Sequence, residues 1–218
     1  MDFVLLQPLS EVDRQRVLAS ARRRRFPRDS VIFWEGDLGN SIHLVASGHV
    51  LAQVTTARGD RATVRVLGPG EHFGELALIS EGPRSATMMA LDAVETLSLE
   101  RSDFELLRSD PKIENVFVAA LAAEIRRLAG SLTDALYLTA ADHLWKRLAD
   151  VERVFSRGKS PTELPLTQAN LATLAGVTRQ TASKFLDDAE TAGIVRRDRR
   201  GHIVVLDVGA LQKRAARL

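Results

Sequence analysis

The stretch from Phe73 to Met88 reads FGELALISEGPRSATM. It carries one carboxylate, Glu75, and nine positions later one guanidinium, Arg84, with the hydroxyl of Ser85 beside it. The flanking residues are apolar, and a charge in apolar surroundings needs a partner. Two partners would satisfy Arg84. One is Glu75, in an internal salt bridge. The other is an external anion, helped by Ser85 and by backbone N–H donors where a helix opens after Gly74.

The elements around this stretch must hold it in place. From Phe26 to Leu99 the chain is a series of short β-rich runs broken by Gly and Asp: SVIFWEGD, SIHLVASGHVLAQVTT, RATVRVLGPGEHFGE and SATMMALDAVETLSLE. Strands this short, with turn signals this frequent, predict an antiparallel roll or sandwich. Ahead of it, residues 10–25 predict a short amphipathic helix. Ser10 is its N-cap, Asp13 its third helical residue, and Arg22–Arg25 a solvated charge run at its end.

After Arg101 the period becomes helical. Apolar residues fall at Ile113, Phe117, Leu121, Ile125, Leu128, Leu132 and Leu136, one stripe on a helix over residues 112–138 of roughly 40 Å. That length exceeds what a small roll can cover, so the stripe predicts burial against the same helix of a second copy. Thr139 to Asp142 is a capping box, which opens a new helix and marks a domain boundary at Leu138–Thr139.

Further on, LTQANLATLAGVTRQTASKFLDDAETAGIV predicts two helices. Thr167 caps the first, Gly176 ends it, Thr178 caps the second over Arg179 to about Ala192, and Gly193 closes it. This is a helix-turn-helix, with Leu171, Leu174, Val177, Ala182, Phe185 and Leu186 as its core. GIVRRDRRGHIVVL then reads as strand, turn and strand, a wing with Arg196, Arg197, Arg199 and Arg200 near its tip. Ser156–Pro165 reads as a loop.

Composition narrows the function classes. The 218 residues are 45% apolar and 27% charged, which suits a folded chain with a real core. There is no cysteine, so disulfides, thiolate metal sites and cysteine-ligated clusters are excluded. No apolar run approaches a membrane span, and the first residues lack the pattern of a signal peptide, so a cytoplasmic protein is expected. Net charge is +2, but residues 140–218 carry about 14 basic against 9 acidic groups, roughly +5, which points to a polyanionic partner there. No P-loop, metal-ligand cluster or nucleophile–base pair at recognisable spacing is present, so no enzyme is expected. The five histidines, His43, His49, His72, His143 and His202, form no pair at telling spacing and read as strand or surface residues.

FGELAL followed by PRSAT resembles the phosphate-binding cassette of cyclic-nucleotide-binding domains, including the spacing from Glu75 to Arg84. With the roll, the long helix and the helix-turn-helix in this order, nearly the whole chain resembles the CRP/FNR family of bacterial transcription regulators. The resemblance implies an α+β fold in three parts. These are an antiparallel β-roll (a cyclic-nucleotide-binding jelly roll) over residues 1–111, a dimerisation helix over 112–138, and a winged helix-turn-helix over 139–218. It implies an allosteric homodimer that binds double-stranded DNA and is controlled by cyclic AMP, with cyclic GMP, another effector or no effector at all as the alternative. A different class, a regulatory subunit acting by protein contact, is opposed by the helix-turn-helix and the basic wing.

The same resemblance assigns the phosphate to Arg84 and Ser85. It assigns the ribose 2′-hydroxyl to Glu75, with the backbone of Gly74, Leu76 and Ala77 nearby. Leu128 and Ala129 stand where family members touch adenine with a Thr-Ser pair, a departure that leaves the base unspecified. On the recognition helix it places Arg179, Gln180 and Lys184 toward the groove, where Arg179 suits guanine and Gln180 suits adenine. Thr167, Thr178, Thr181 and Ser183 are expected at phosphates, and Arg199 and Arg200 on the wing. Loop 153–163 is where family members contact RNA polymerase.

Overall fold

The computed structural model describes residues 2–156 and 160–216. The chain divides into two compact units, residues 1–61 with 67–128, and residues 62–66 with 129–218.

The first unit opens with a 3₁₀ turn at Val4–Leu6 and helix α1, Glu11–Ser20, whose N-cap Ser10 accepts a hydrogen bond from the Asp13 amide at 3.2 Å. Strands β1 (Arg22–Phe26), β2 (Val31–Phe33), β3 (Ser41–Ser47), β4 (Val50–Thr55), β5 (Arg61–Leu67, whose residues 62–66 group with the second unit), β6 (His72–Phe73), β7 (Thr87–Ala90) and β8 (Val94–Glu100) follow, with helix α2 (Glu75–Ile79) between β6 and β7. They form two four-stranded sheets, ordered β1-β8-β3-β6 and β2-β7-β4-β5. One apolar cluster joins Val45, Val50, Phe73, Met88 and Val94 from both sheets. A second packs Phe3, Leu6 and Val17 against Ile42, Leu99 and the helices that follow.

The Arg22–Arg25 run is not a helix end. The chain is already extended at Ala21, and all four arginines lie on β1, an edge strand paired with β8 from Arg22↔Ser98 to Phe26↔Val94. Arg23 and Arg25 both pair with Glu95, and Arg24 lies 3.7 Å from Glu100. Carboxylates across the ladder therefore stabilise the run as a strand, and a charged edge resists pairing with another chain.

Helix α3 (Arg101–Arg108) leads into the 27-residue helix α4, Pro111–Tyr137. The apolar stripe of α4 divides in two. Ile113, Val116 and Phe117 are buried in the second cluster, where Phe117 meets Phe104 edge to face at 4.7 Å. Ile125, Leu128, Leu132 and Leu136 are 67%, 52%, 61% and 67% exposed.

In the second unit, Thr139 caps α5 (Ala140–Ser156), accepting from the Asp142 amide at 3.3 Å. Strand β9 (Thr162–Thr167), helices α6 (Gln168–Leu174) and α7 (Arg179–Thr191), strands β10 (Val195–Arg197) and β11 (His202–Val205), and helix α8 (Val208–Ala215) complete it. The expected loop over Ser156–Pro165 is a strand from Thr162 onward. Leu164 and Leu166 point into the core, and β9 adds to the wing as the third strand of a β10-β11-β9 sheet. The alternation of TELPLT is the signal, masked by its proline. Residues 157–159, in the middle of loop 153–163, lie outside the described residues.

Candidate functional site

The cassette is built on close backbone approach. Gly74 has φ +88°, the left-handed region that glycine adopts without strain, and turns the chain from β6 into α2. A Cβ there would stand 2.5 Å from Arg84 Nη1. At Gly39 an added Cβ would meet the Ala77 Cβ at 2.1 Å. The two glycines let the loop after β2 and the start of α2 close over one side chain, Arg84. The backbone of Arg84 is also fixed by that loop: its N–H donates to Asp37 O at 2.8 Å and its carbonyl accepts from the Gly36 N–H at 2.9 Å.

Arg84 is 4% exposed. Its Nη1 donates to Ser41 O at 2.7 Å and to Gly74 O at 2.9 Å, and its Nη2 donates to Ser41 Oγ at 3.0 Å. The guanidinium lies over the Phe33 ring, 3.9 Å from its centroid. Nε is buried and, among the described residues, has no hydrogen-bond partner. Burial lowers the pKa of the group, and the charges of Glu75, Asp37 and Glu100 oppose that shift. Glu75, at the first position of α2, is the largest of these opposing charges, so the two residues singled out by the sequence do share one electrostatic environment. Ala77 is buried, Leu76 is 39% exposed, and Ser85 is exposed. Leu128 and Ala129 lie on exposed positions of α4, Leu128 in the first unit and Ala129 in the second.

In the second unit, Thr167 caps α6 in a reciprocal box. Its hydroxyl accepts from the Asn170 amide at 3.3 Å, while Asn170 Oδ1 accepts from the Thr167 amide at 3.0 Å. Thr178 caps α7, accepting from the Thr181 amide at 3.1 Å, and its hydroxyl also meets that of Thr181 at 2.9 Å. These two hydroxyls are therefore helix caps first. The buried face of α7 is Ala182, Phe185, Leu186 and Ala189, and Phe185 packs edge to face on Trp145 of α5 at 4.5 Å. Arg179, Gln180 and Lys184 remain exposed, with Gln180 and Lys184 one turn apart on the same face, and Thr181 and Ser183 are half-buried.

The wing turn carries Arg199 and Arg200, both exposed, while Asp198 accepts from the amides of Arg200 and His202 at 2.8 Å each. Arg197 departs from the expected basic tip. It turns back onto α7 and pairs with Asp187 at 2.5 Å and Glu190 at 2.6 Å. Those bonds raise the guanidinium pKa and lower that of Glu190.

Comparison with known proteins matches residues 23–110 to the cyclic nucleotide-binding domain and residues 127–214 to the Crp-like helix-turn-helix domain. The chain is 34% identical over 193 residues to the cyclic AMP receptor protein of Thermus thermophilus, covering 88% of each chain. The chain belongs to the CRP/FNR family. It is a transcription regulator, not an enzyme. A CRP-like cAMP-activated global transcriptional regulator of Mycobacterium tuberculosis is 27% identical, with 87% of this chain and 86% of the relative covered. Among solved structures, the catabolite activator protein of Thermus thermophilus aligns over 98% of this chain and 99% of its own, at TM-score 0.57 and 32% identity. The c-di-GMP responsive regulator CLP of Xanthomonas campestris shares the fold at TM-score 0.73 and 21% identity, over 91% of this chain and 100% of that one. No described helix of the regulator is long and apolar enough to cross a membrane.

Four further residues set the regulator's cassette: Arg101, Phe33 and Ser41, which no motif marks, and His43, expected only as a strand or surface residue and found buried on β3. Arg101 opens α3 and donates to the carbonyls of Gly39 (3.0 Å), Ala77 (3.0 Å) and Leu78 (3.1 Å), tying the loop after β2 to the end of α2. Phe33 is the platform under Arg84. Ser41 and His43 lie beneath it on β3, joined by a 3.3 Å contact between Ser41 Oγ and His43 Nε2. The only signal for the last two is their spacing, since residues two apart on a strand share a face.

Proposed function

We propose that this regulator is a cytoplasmic homodimer whose grip on double-stranded DNA is set by a cyclic nucleotide, cyclic AMP, bound at Arg84. The observation that carries the reading is how the Arg84 donors are spent. A guanidinium has five N–H groups. Both protons of Nη1 and one of Nη2 go to Ser41 and Gly74. What remains is the Nε proton and the second Nη2 proton, a pair on adjacent nitrogens spaced for two oxygens of one phosphodiester. An unpaired buried donor is costly, and an anion on that edge removes the cost.

Glu75 then accepts from the ribose 2′-hydroxyl, with the backbone of Gly74, Leu76 and Ala77 alongside and Ser85 at the phosphate. The positions that family resemblance gives to the base, Leu128 and Ala129, offer no side-chain hydrogen bond. The choice of cyclic AMP over cyclic GMP therefore rests on the cyclic AMP named for the relatives, not on those two residues. We take residues 1–111 as the effector part, 112–138 as the connecting and dimerising helix, and 139–218 as the DNA-reading part. The exposed half of the α4 stripe is apolar surface that a second copy would cover. In such a dimer the two α7 helices must stand about 34–36 Å apart to enter successive major grooves. Arg179 and Gln180 would read base edges, Lys184, Thr181 and Ser183 would meet the backbone, and Arg199 and Arg200 would meet phosphates from the wing, with Thr167 and Thr178 offering only what capping leaves of their hydroxyls.

Titration calorimetry of the full chain with cyclic AMP, cyclic GMP and c-di-GMP, paired with gel shifts in each nucleotide, tests this. Cyclic AMP should bind most tightly and should tighten the DNA complex. Binding of none of the three, or equal DNA affinity with and without cyclic AMP, overturns the proposal.

A further inference from the structure

We propose that Ser41 and His43 are positioning residues for Arg84, ordering a one-way chain of hydrogen bonds from Arg84 through Ser41 and His43 to Thr96. The inference rests on the cyclic-nucleotide reading for its functional consequence, but its geometry stands alone.

Ser41, His43 and Thr96 are 6%, 6% and 0% exposed. Arg84 can only donate, so Ser41 Oγ accepts from Nη2. The hydroxyl proton of Ser41 is then left for its other close neighbour, His43 Nε2 at 3.3 Å. A ring that accepts at Nε2 must carry its proton at Nδ1. His43 Nδ1 sits 3.1 Å from Thr96 Oγ1, within reach to donate. In the proposed chain every bond runs one way and the ring carries its proton at Nδ1; the reverse chain, Nε2–H to Ser41 Oγ and Thr96 Oγ1–H to Nδ1, carries the proton at Nε2 and is the outcome that the spectra below distinguish.

The ring has little freedom to turn away. It stacks on Phe73 with centroids 5.0 Å apart and planes 3° from parallel, and Phe26 meets it edge-on at 6.2 Å. Burial, with the charges of Arg84 and Arg24, lowers the imidazole pKa to about 3, so the ring is neutral at physiological pH. A protonated ring would donate from both nitrogens and would force the Ser41 proton elsewhere. Held in this way, Ser41 takes the end of the guanidinium and leaves the Nε edge for the anion.

Three measurements on the full chain decide it. Long-range ¹H–¹⁵N spectra at pH 7 should show His43 as a neutral ring protonated at Nδ1; an Nε2-protonated ring or an imidazolium overturns the chain. In calorimetry, Ser41→Ala and His43→Phe should each weaken cyclic AMP binding about tenfold, and the double variant no further than the weaker single, because both act through one chain. Ser41→Thr restores the hydroxyl and should bind within threefold of wild type, which separates the lost Oγ from lost packing. Ser41→Ala binding within twofold of wild type, or a double variant near a hundredfold weaker, refutes the proposal. If the wild type takes up no cyclic AMP, the functional reading fails while the chain is still tested. The Arg84 Nη2 resonance should show slower rotation in the wild type than in Ser41→Ala, with Nη1 still held by the two carbonyls, and identical Nη2 signals in the two overturn it.

Discussion

Leu132→Glu should convert the proposed dimer to monomers. Burying a leucine or isoleucine in full stabilises by about 1.5–3 kcal/mol. At the exposures of Ile125, Leu128, Leu132 and Leu136, each has roughly 1–2 kcal/mol still to gain. A two-fold interface counts each residue twice, so the eight side chains supply about 8–16 kcal/mol. Association itself costs an estimated 4–15 kcal/mol, so the balance is narrow. Leu132→Glu removes two of the eight contributions, roughly 2–4 kcal/mol, and places two carboxylates against apolar partners, costing several kcal/mol more. A total near 5 kcal/mol weakens the dimer more than about a thousandfold. Sedimentation velocity over a concentration series reads this directly. Wild type should sediment as a dimer at micromolar concentration and Leu132→Glu as a monomer of 23.9 kDa. A Leu132→Glu protein that remains dimeric there refutes α4 as the interface.

Arg84→Leu should weaken cyclic AMP binding at least tenfold in calorimetry, from the loss of charge-assisted bonds worth about 1.5–3 kcal/mol each; affinity within threefold of wild type would remove Arg84 from the phosphate. Gln180→Glu should move one base of each half-site from A·T toward C·G by roughly 1–3 kcal/mol, because a carboxylate only accepts and so suits cytosine N4; site selection from a randomised pool giving identical motifs would show that Gln180 does not face the groove. Arg197→Ala should lower the melting temperature at neutral pH through a loss of about 0.5–1 kcal/mol. Glu190 has a depressed pKa in the folded state, so the stability from this pair is present above the ordinary glutamate pKa and is lost as pH falls through the folded value. The gap between wild type and Arg197→Ala should therefore shrink in acid, and a gap unchanged between pH 7 and pH 3 contradicts the pairing.

Helix starts were the most legible features. Ser10, Thr139, Thr167 and Thr178 each cap the helix that follows them, because the cap is a local matter of one hydroxyl and one amide three residues on. The errors came where distant residues decide. Arg22–Arg25 looks like a helix end when read alone. Glu95 and Glu100, about seventy-five residues away in sequence, make it a strand, as the ladder with β8 shows. Thr162–Thr167 looks like a loop because of Pro165. Its pairing with β11, from Thr162↔Val205 to Thr167↔His202, makes it a strand. In both cases the long-range partner overrides the local propensity.

The cassette shows the same division within one side chain. The motif brought Glu75 and Arg84 into one electrostatic environment, and the two glycines that permit the close approach punctuate the sequence. It could not say where the guanidinium turns, because that depends on which acceptors lie within 3 Å after folding. Here two of the three are backbone carbonyls, of Ser41 and Gly74, which no residue type announces. The third, Ser41 Oγ, is announced only as a serine at a strand start. A guanidinium that spends three of its five protons inward has one edge left, and that edge, not the whole charge, defines the anion it can hold. A Lys at position 84 would keep the charge but has three donors on one nitrogen and no such edge. Arg84→Lys should therefore lose cyclic AMP affinity nearly as far as Arg84→Leu while retaining more of the wild-type melting temperature. Affinity for Arg84→Lys within threefold of wild type would show that charge alone suffices and that the donor geometry is incidental.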